Sequence, residues 1–161
     1  MTDKTKDAIT FLKLITQKYD VATANPPYTD SADFGPELRK YIEGNYKKPF
    51  AFHTNLYATF IKRCFELTNE NGKVAMIHPH TFMFIKTFED VRKYMIEKSH
   101  IDVMVDFGLD RVNLFGPGIL LDATFYVLSK EKSEDKNLYF NLTMNLQEKF
   151  KKEKFFEALD D

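Results

Sequence analysis

Two consecutive prolines, Pro26 and Pro27, stand directly behind the short apolar run Val21-Ala22-Thr23-Ala24 and fix where that run must end. Neither has an N–H to give to a neighbouring strand, and each holds the residue before it out of the helical region. A strand over residues 20–24 therefore stops at this point, with Asn25 and Pro26 extended and their oxygens aimed out of its tip. The run is apolar throughout, which reads as a buried strand. Asn25-Pro26-Pro27-Tyr28 then presents acceptors only: the Asn25 side-chain carbonyl, a proline backbone carbonyl, and beside them the ring face of Tyr28. Such a set suits a planar amine, with two acceptors for its hydrogens and an aromatic cover for the ring that carries it.

The surrounding pattern alternates helix and strand. Ala8, Phe11, Leu12 and Ile15 recur at i, i+3, i+4, i+7, so residues 5–17 form an amphipathic helix leading into the strand. From Thr29 to His53, Gly, Pro, Asp and aromatic residues mix without a sustained period, which reads as a long active-site loop with one helical turn near Pro36 to Ile42. Leu56, Phe60, Cys64 and Leu67, with Ile61 and Phe65 beside them, mark a second helix, stopped by Asn69-Glu70-Asn71-Gly72. Val74 to Ile77 is a central strand closed by Pro79, and Phe88 to Lys98 a helix with Val91, Tyr94 and Met95 on one face. Strands follow at Ile101 to Phe107 and Asp122 to Ser129. Beyond Lys130 come a charged turn, a strand over Leu138 to Leu142, and a charged helix from Leu146 to Leu159 whose thin apolar stripe is Leu146, Phe150 and Leu159. The class is α/β, wound by right-handed crossovers into a mostly parallel sheet.

Asn-Pro-Pro-Tyr closing an apolar strand resembles motif IV of the S-adenosylmethionine-dependent amino-methyltransferases, above all the DNA adenine-N6 enzymes. The likeness runs on in order through Asn55-Leu56-Tyr57-Ala58-Thr59-Phe60, Asn71-Gly72-Lys73-Val74-Ala75-Met76-Ile77-His78-Pro79, Phe88-Glu89-Asp90-Val91-Arg92-Lys93 and Val112-Asn113-Leu114-Phe115. In that order they are similar to motifs V, VI, the helix that follows, and VIII of the gamma class, which includes combined restriction-modification and phage-defence methyltransferases. It covers about residues 19–130. The resemblance implies a partial Rossmann-like class I methyltransferase fold, with the strand at Asp122 to Ser129 antiparallel between its neighbours.

It also implies roles. Asn25, Pro26, Pro27 and Tyr28 would grip the amine of an adenine flipped out of DNA, at a few kcal/mol of unstacking. Tyr28 and Phe115 would stack on the base, and His80, after the central strand, would lie near it. Asn25 and Phe60 would meet S-adenosylmethionine. For two of these a plainer reading stays open: Phe115 as a hydrophobic plug under a glycine-rich turn, and Phe60 as core filling on an apolar helix face.

The gamma class carries a glycine-rich cofactor loop well ahead of Asn-Pro-Pro-Tyr, and residues 1–20 hold none. The expectation is a partial catalytic domain over 1–130, with 131–161 as an extension. Such a piece binds S-adenosylmethionine weakly or not at all, and leaves the outer edge of the strand at 20–24 unpaired and prone to homo-oligomerisation. Two alternatives remain: transfer to a protein glutamine amide or an RNA amine, and an inactive interaction module.

Composition narrows the rest. A net charge of −1 places the main phosphate grip elsewhere, although Arg39-Lys40-Tyr41 and Tyr46-Lys47-Lys48 could touch a nucleic-acid backbone. The lone cysteine, Cys64, sits among Phe60, Ile61 and Phe65 and reads as a buried apolar residue. His53, His78 and His80 lack the Cys or carboxylate partners that would complete a metal site, and no metal is expected. Asp106-Phe107-Gly108 matches a kinase tripeptide but has no accompanying glycine-rich loop, so it reads as a strand end. With no signal peptide and no long apolar run, a cytoplasmic, non-membrane protein is expected.

Overall fold

The computed structural model describes residues 2–109, 122–134, 136–143 and 148–160. Five helices and five strands run in the order α1 (Asp3–Thr16), β1 (Tyr19–Ala24), α2 (Pro36–Tyr46), α3 (Leu56–Leu67), β2 (Thr68–Pro79), α4 (Glu89–Lys98), β3 (His100–Leu109), β4 (Asp122–Ser129), β5 (Leu138–Asn141) and α5 (Glu148–Asp160). The strands form one sheet in the order β1-β2-β4-β3-β5. β1 and β3 run parallel to β2 and β5 respectively, while β4 is antiparallel to both its neighbours. Four strands thus point one way, and the fourth in sequence is the reversed one, as expected.

One face of the sheet is packed. α3 lays Tyr57, Ala58, Ile61, Cys64 and Phe65 on Val74 and Met76 of β2 and on Tyr126 and Leu128 of β4, and α4 adds Val91, Tyr94 and Met95. Each fully buried ring or aliphatic side chain of this set contributes about 2–3 kcal/mol of transfer free energy. The buried face of α3 is centred one position past the stripe Leu56, Phe60, Cys64, Leu67: Leu56 and Phe60 are only partly buried. Cys64 is buried and its thiol is pushed up to about 11 by desolvation.

Three expectations need correction. β1 is not buried: it is the edge strand, Val21 is 57% exposed, and only Ala22 and Ala24 lean on the core. An apolar run of small residues looks buried in sequence, but an edge with one uncovered face leaves alternate residues in solvent. The segment after the tetrapeptide is not one loop with a single helical turn. It contains α2, an 11-residue helix with Pro36 at its start and Ile42 and Tyr46 buried one turn apart. Asn69 to Gly72 does not separate helix from strand either. β2 begins at Thr68, paired with Tyr19, and the next pair is Val21 with Lys73, so the four intervening residues form an irregularity within the strand. The final helix is described over Glu148–Asp160, and Leu146 lies outside the described residues.

At the far side, β5 extends the sheet past β3, and Phe140 meets Phe155 of α5 with ring centroids 5.0 Å apart. The Asp-Phe-Gly tripeptide closes β3. The Asp106 carboxylate accepts from the Gly108 N–H at 2.9 Å, and Gly108 sits at φ +63°, where an added Cβ would meet Thr143 at 2.9 Å. Only glycine fits this turn without displacing its neighbour.

Candidate functional site

β1 delivers its last residue, Ala24, opposite Met76 of β2, so Asn25 emerges at the tip of a paired strand. Asn25 and Pro27 are exposed, Pro26 is buried, and Tyr28 is half-buried. The Tyr28 hydroxyl donates to Asn25 Oδ1 at 2.6 Å, which fixes the carboxamide and leaves the oxygen a second lone pair. Among the described residues, no hydrogen bond is made to the Pro26 carbonyl. The chain then ties back to α3: the Leu56 N–H donates to the Thr29 carbonyl at 2.9 Å, Asp30 bridges Asn55, and Asn55 caps the helix by accepting from the Tyr57 N–H at 3.2 Å. Helix and tetrapeptide are therefore one rigid piece. Beside Asn25 a concavity of about 380 Å³ opens along the uncovered sheet face, lined by Thr23, Ala24, Ala75, Met76, Ile77 and Phe125. That is within the usual range of ligand pockets, roughly 300–1,000 Å³.

Under Tyr28 lies a buried aromatic stack. Tyr28 meets Tyr57 edge to face at 6.5 Å, Tyr57 stacks on His78 at 4.5 Å and 11°, and His78 Nε2 is 2.8 Å from the Tyr126 hydroxyl. His78 Nδ1 faces the Pro79 carbonyl at 3.0 Å, an acceptor only, so Nδ1 carries the proton and Tyr126 donates to Nε2. Desolvation lowers His78 to about 4, which the Pro79 carbonyl offsets in part. Burial also raises the Tyr28 and Tyr57 phenols. The Tyr57 hydroxyl is buried; Thr81 lies beside it, but the pair does not reach hydrogen-bond geometry. Tyr57 stands within Asn55 to Phe60 yet reads in sequence only as a helix residue. Nothing in its spacing marks it as the ring beneath Tyr28.

The remaining candidates are dispersed. His80 Nδ1 lies 2.8 Å from Asp106 Oδ1 and its Nε2 3.6 Å from Asp122, which places it over β3 and β4 rather than over Asn25. Phe60 is half-buried against the core. Phe115 lies outside the described residues. His53, His78 and His80 do not converge, since the last two have separate partners in Tyr126 and Asp106. Arg39, a candidate backbone contact, donates to the Ser31 and Ala32 carbonyls at 2.9 and 3.0 Å, whereas Lys40, Lys47 and Lys48 are exposed. No helix among the described residues is long and apolar enough to cross a membrane.

The family model described as "Eco57I restriction-modification methylase" matches residues 2–115, more than half of the chain. The adenine-specific methyltransferase PglX of Lacticaseibacillus casei is 32% identical over 120 residues, covering 74% of this chain and 10% of that protein. The type II methyltransferase M.AccI of Acinetobacter calcoaceticus is 30% identical over 135 residues, covering 81% of this chain and 24% of the relative. Among solved structures, a DrdV–DNA complex superposes with a TM-score of 0.67 at 18% identity, over 94% of this chain and 17% of the other. A class I S-adenosylmethionine-dependent methyltransferase from Listeria monocytogenes gives 0.55 at 20% identity, over 79% and 38%. At such identities the superpositions establish the class I fold. The chain spans about a tenth to a quarter of the length of these curated relatives.

Proposed function

The chain belongs to the Eco57I restriction-modification methylase family, and from that premise we propose that it carries the amine-gripping part of a DNA adenine-N6 methyltransferase. The observation that supports this most is the strand tip: Asn25 Oδ1, oriented by Tyr28, beside a concavity of about 380 Å³, with the Pro26 carbonyl next in the chain.

Adenine's amine is a poor nucleophile because its lone pair is shared with the ring. Asn25 Oδ1 and the Pro26 carbonyl accept the two N–H hydrogens and so localise that pair on nitrogen. As nitrogen is alkylated it gains positive charge, its hydrogens become stronger donors, and both hydrogen bonds tighten. The surplus proton leaves to solvent afterwards, so no histidine, cysteine or carboxylate base is needed. Tyr28 covers the base and offsets the unstacking of a flipped nucleotide. His80 and Phe115 are proposed as further base contacts. The site fits S-adenosylmethionine through Asn25, the polar side chain at the concavity's mouth, and the half-buried Phe60 ring. When bound, that cofactor supplies a methyl group on cationic sulfur. Nucleoside mass spectrometry of DNA treated with an enzyme containing this chain is expected to show N6-methyladenine. Unmodified DNA alongside a methylated protein glutamine or RNA amine would refute it.

Residues 1–20 hold no glycine-rich loop, and the outer edge of β1 pairs with no strand among the described residues. Next to that edge, α1 exposes Phe11 and Leu12 by 61% and 55%. We therefore propose weak cofactor binding and self-association through β1 and α1. For the isolated chain at high micromolar concentration, light scattering is expected to report a dimer or larger species, and calorimetry no low-micromolar affinity for S-adenosylmethionine. A strict monomer, or tight binding, would contradict the respective half of this proposal.

A further inference from the structure

We propose that Phe84, on the segment that follows β2, is a stacking platform for a nucleic-acid base. The inference rests on reading the chain as acting on a base, and it adds a contact outside the tetrapeptide. Phe84 is 63% exposed and Ile85 46%, between the buried anchors Phe82 and Phe88. Two successive large apolar side chains in solvent are an uncovered apolar surface, and they favour a ligand that covers them.

An exposed ring is ordinarily loose, and this one is held. The N–H groups of Phe84 and Ile85 both donate to the Thr81 carbonyl at 3.1 Å. The Arg92 guanidinium reaches across from α4 and donates to the carbonyls of Phe82 and Ile85 at 2.7 and 2.8 Å. The ring packs edge to face on His80 at 5.1 Å and 81°, and His80 is itself fixed by the buried Asp106 carboxylate at 2.8 Å. Fixation thus runs from a β3 carboxylate through an imidazole to the exposed phenyl face. A preorganised face loses little conformational freedom on binding, which is what a stacking surface requires.

Placement supports a base as the occupant. The loop leaves β2 at Pro79, three residues past Met76, the partner of Ala24. His80, against which the ring packs, stands over β3 and β4, two to three strands from β1 in the sheet order. The two side chains expose on the order of 200 Å² together, far below the roughly 1,000 Å² that a specific protein interface needs, but enough for one base. The ring itself offers a phosphate no charge; Lys86 is followed by Glu89 and Asp90 at the start of α4, and the Arg92 guanidinium is engaged with the Phe82 and Ile85 carbonyls. Contact is through the ring face, and its share of the affinity should not depend on salt.

The chain contains no tryptophan, so Phe84→Trp creates a single reporter. Titrated with a duplex bearing one unpaired adenine, its emission is expected to fall by about half through stacking, while Ile96→Trp, on the far end of α4, stays unquenched. By anisotropy, Phe84→Ala is expected to weaken binding of the same duplex about tenfold, with the same ratio at low and high salt. Equal affinity of Phe84→Ala and the unsubstituted chain, or equal quenching at both reporters, overturns the platform while leaving the Asn25 reading intact. Failure of the unsubstituted chain to bind the duplex overturns it as well. Loss of the Asn25 reading alone would show instead as retained methyl transfer in Asn25→Ala.

Discussion

Asn25→Ala is expected to lower methyl transfer by roughly 10²–10³-fold in an enzyme containing this chain, the loss typical of removing one preorganised partner of a developing charge. The side chain is exposed and its one hydrogen bond among the described residues is to the Tyr28 hydroxyl, which water can replace, so the fold should be unaffected. The substitution leaves the Pro26 carbonyl in place, so residual activity above background is expected. Because the bond to Oδ1 strengthens only as nitrogen becomes charged, the effect should fall on kcat more than on KM. Wild-type kcat in a folded Asn25→Ala enzyme would remove Asn25 from the mechanism. A rise in KM alone would make it a binding contact without a catalytic share.

The second large effect is on stability. His78 is fully buried with a folded pKa of about 4, against 6.5 when exposed. Its folded value is depressed, so below about 6.5 the unfolded chain takes up the proton and the folded one does not. Stability is complete above pH 6.5, falls as the pH drops toward 4, and is flat below that as far as His78 is concerned. The difference integrates to about 3 kcal/mol. Urea denaturation of the wild type between pH 7 and 4 should show this loss on top of that from other groups, and His78→Asn should remove the His78 share of the slope whatever its own starting stability. Parallel pH profiles for the two proteins would mean that His78 takes up its proton as readily in the folded state as in the unfolded one.

Much of this architecture is legible in the residues, and the failures have physical causes. Pro26 and Pro79 mark the ends of β1 and β2 because proline has no N–H, a local rule that no tertiary context repeals. The Val91, Tyr94, Met95 face of α4 holds because it has a sheet to bury against. α1 shows the same periodicity with no buried residue, since a pattern reports a face and not its partner. α2 is hidden because Ile42 and Tyr46 are its only buried residues amid charged ones. At the candidate site, the place of the tetrapeptide at a strand end is readable from its prolines alone. The Tyr57–His78–Tyr126 stack is not, because it joins residues 21 and 48 positions apart on three elements. Asp106 reads as a strand end, whereas its carboxylate also fixes His80, a pairing visible only once β2 and β3 flank β4.

The central claim is that two neutral oxygens at the tip of β1 grip an exocyclic amine. A structure of an enzyme containing this chain, bound to DNA with its target adenine extruded, tests it most directly. The expected result is adenine N6 about 3 Å from both Asn25 Oδ1 and the Pro26 carbonyl, with the base against the Tyr28 ring. An extruded adenine whose N6 faces other acceptors, with Asn25 still bound only to Tyr28, would contradict the account.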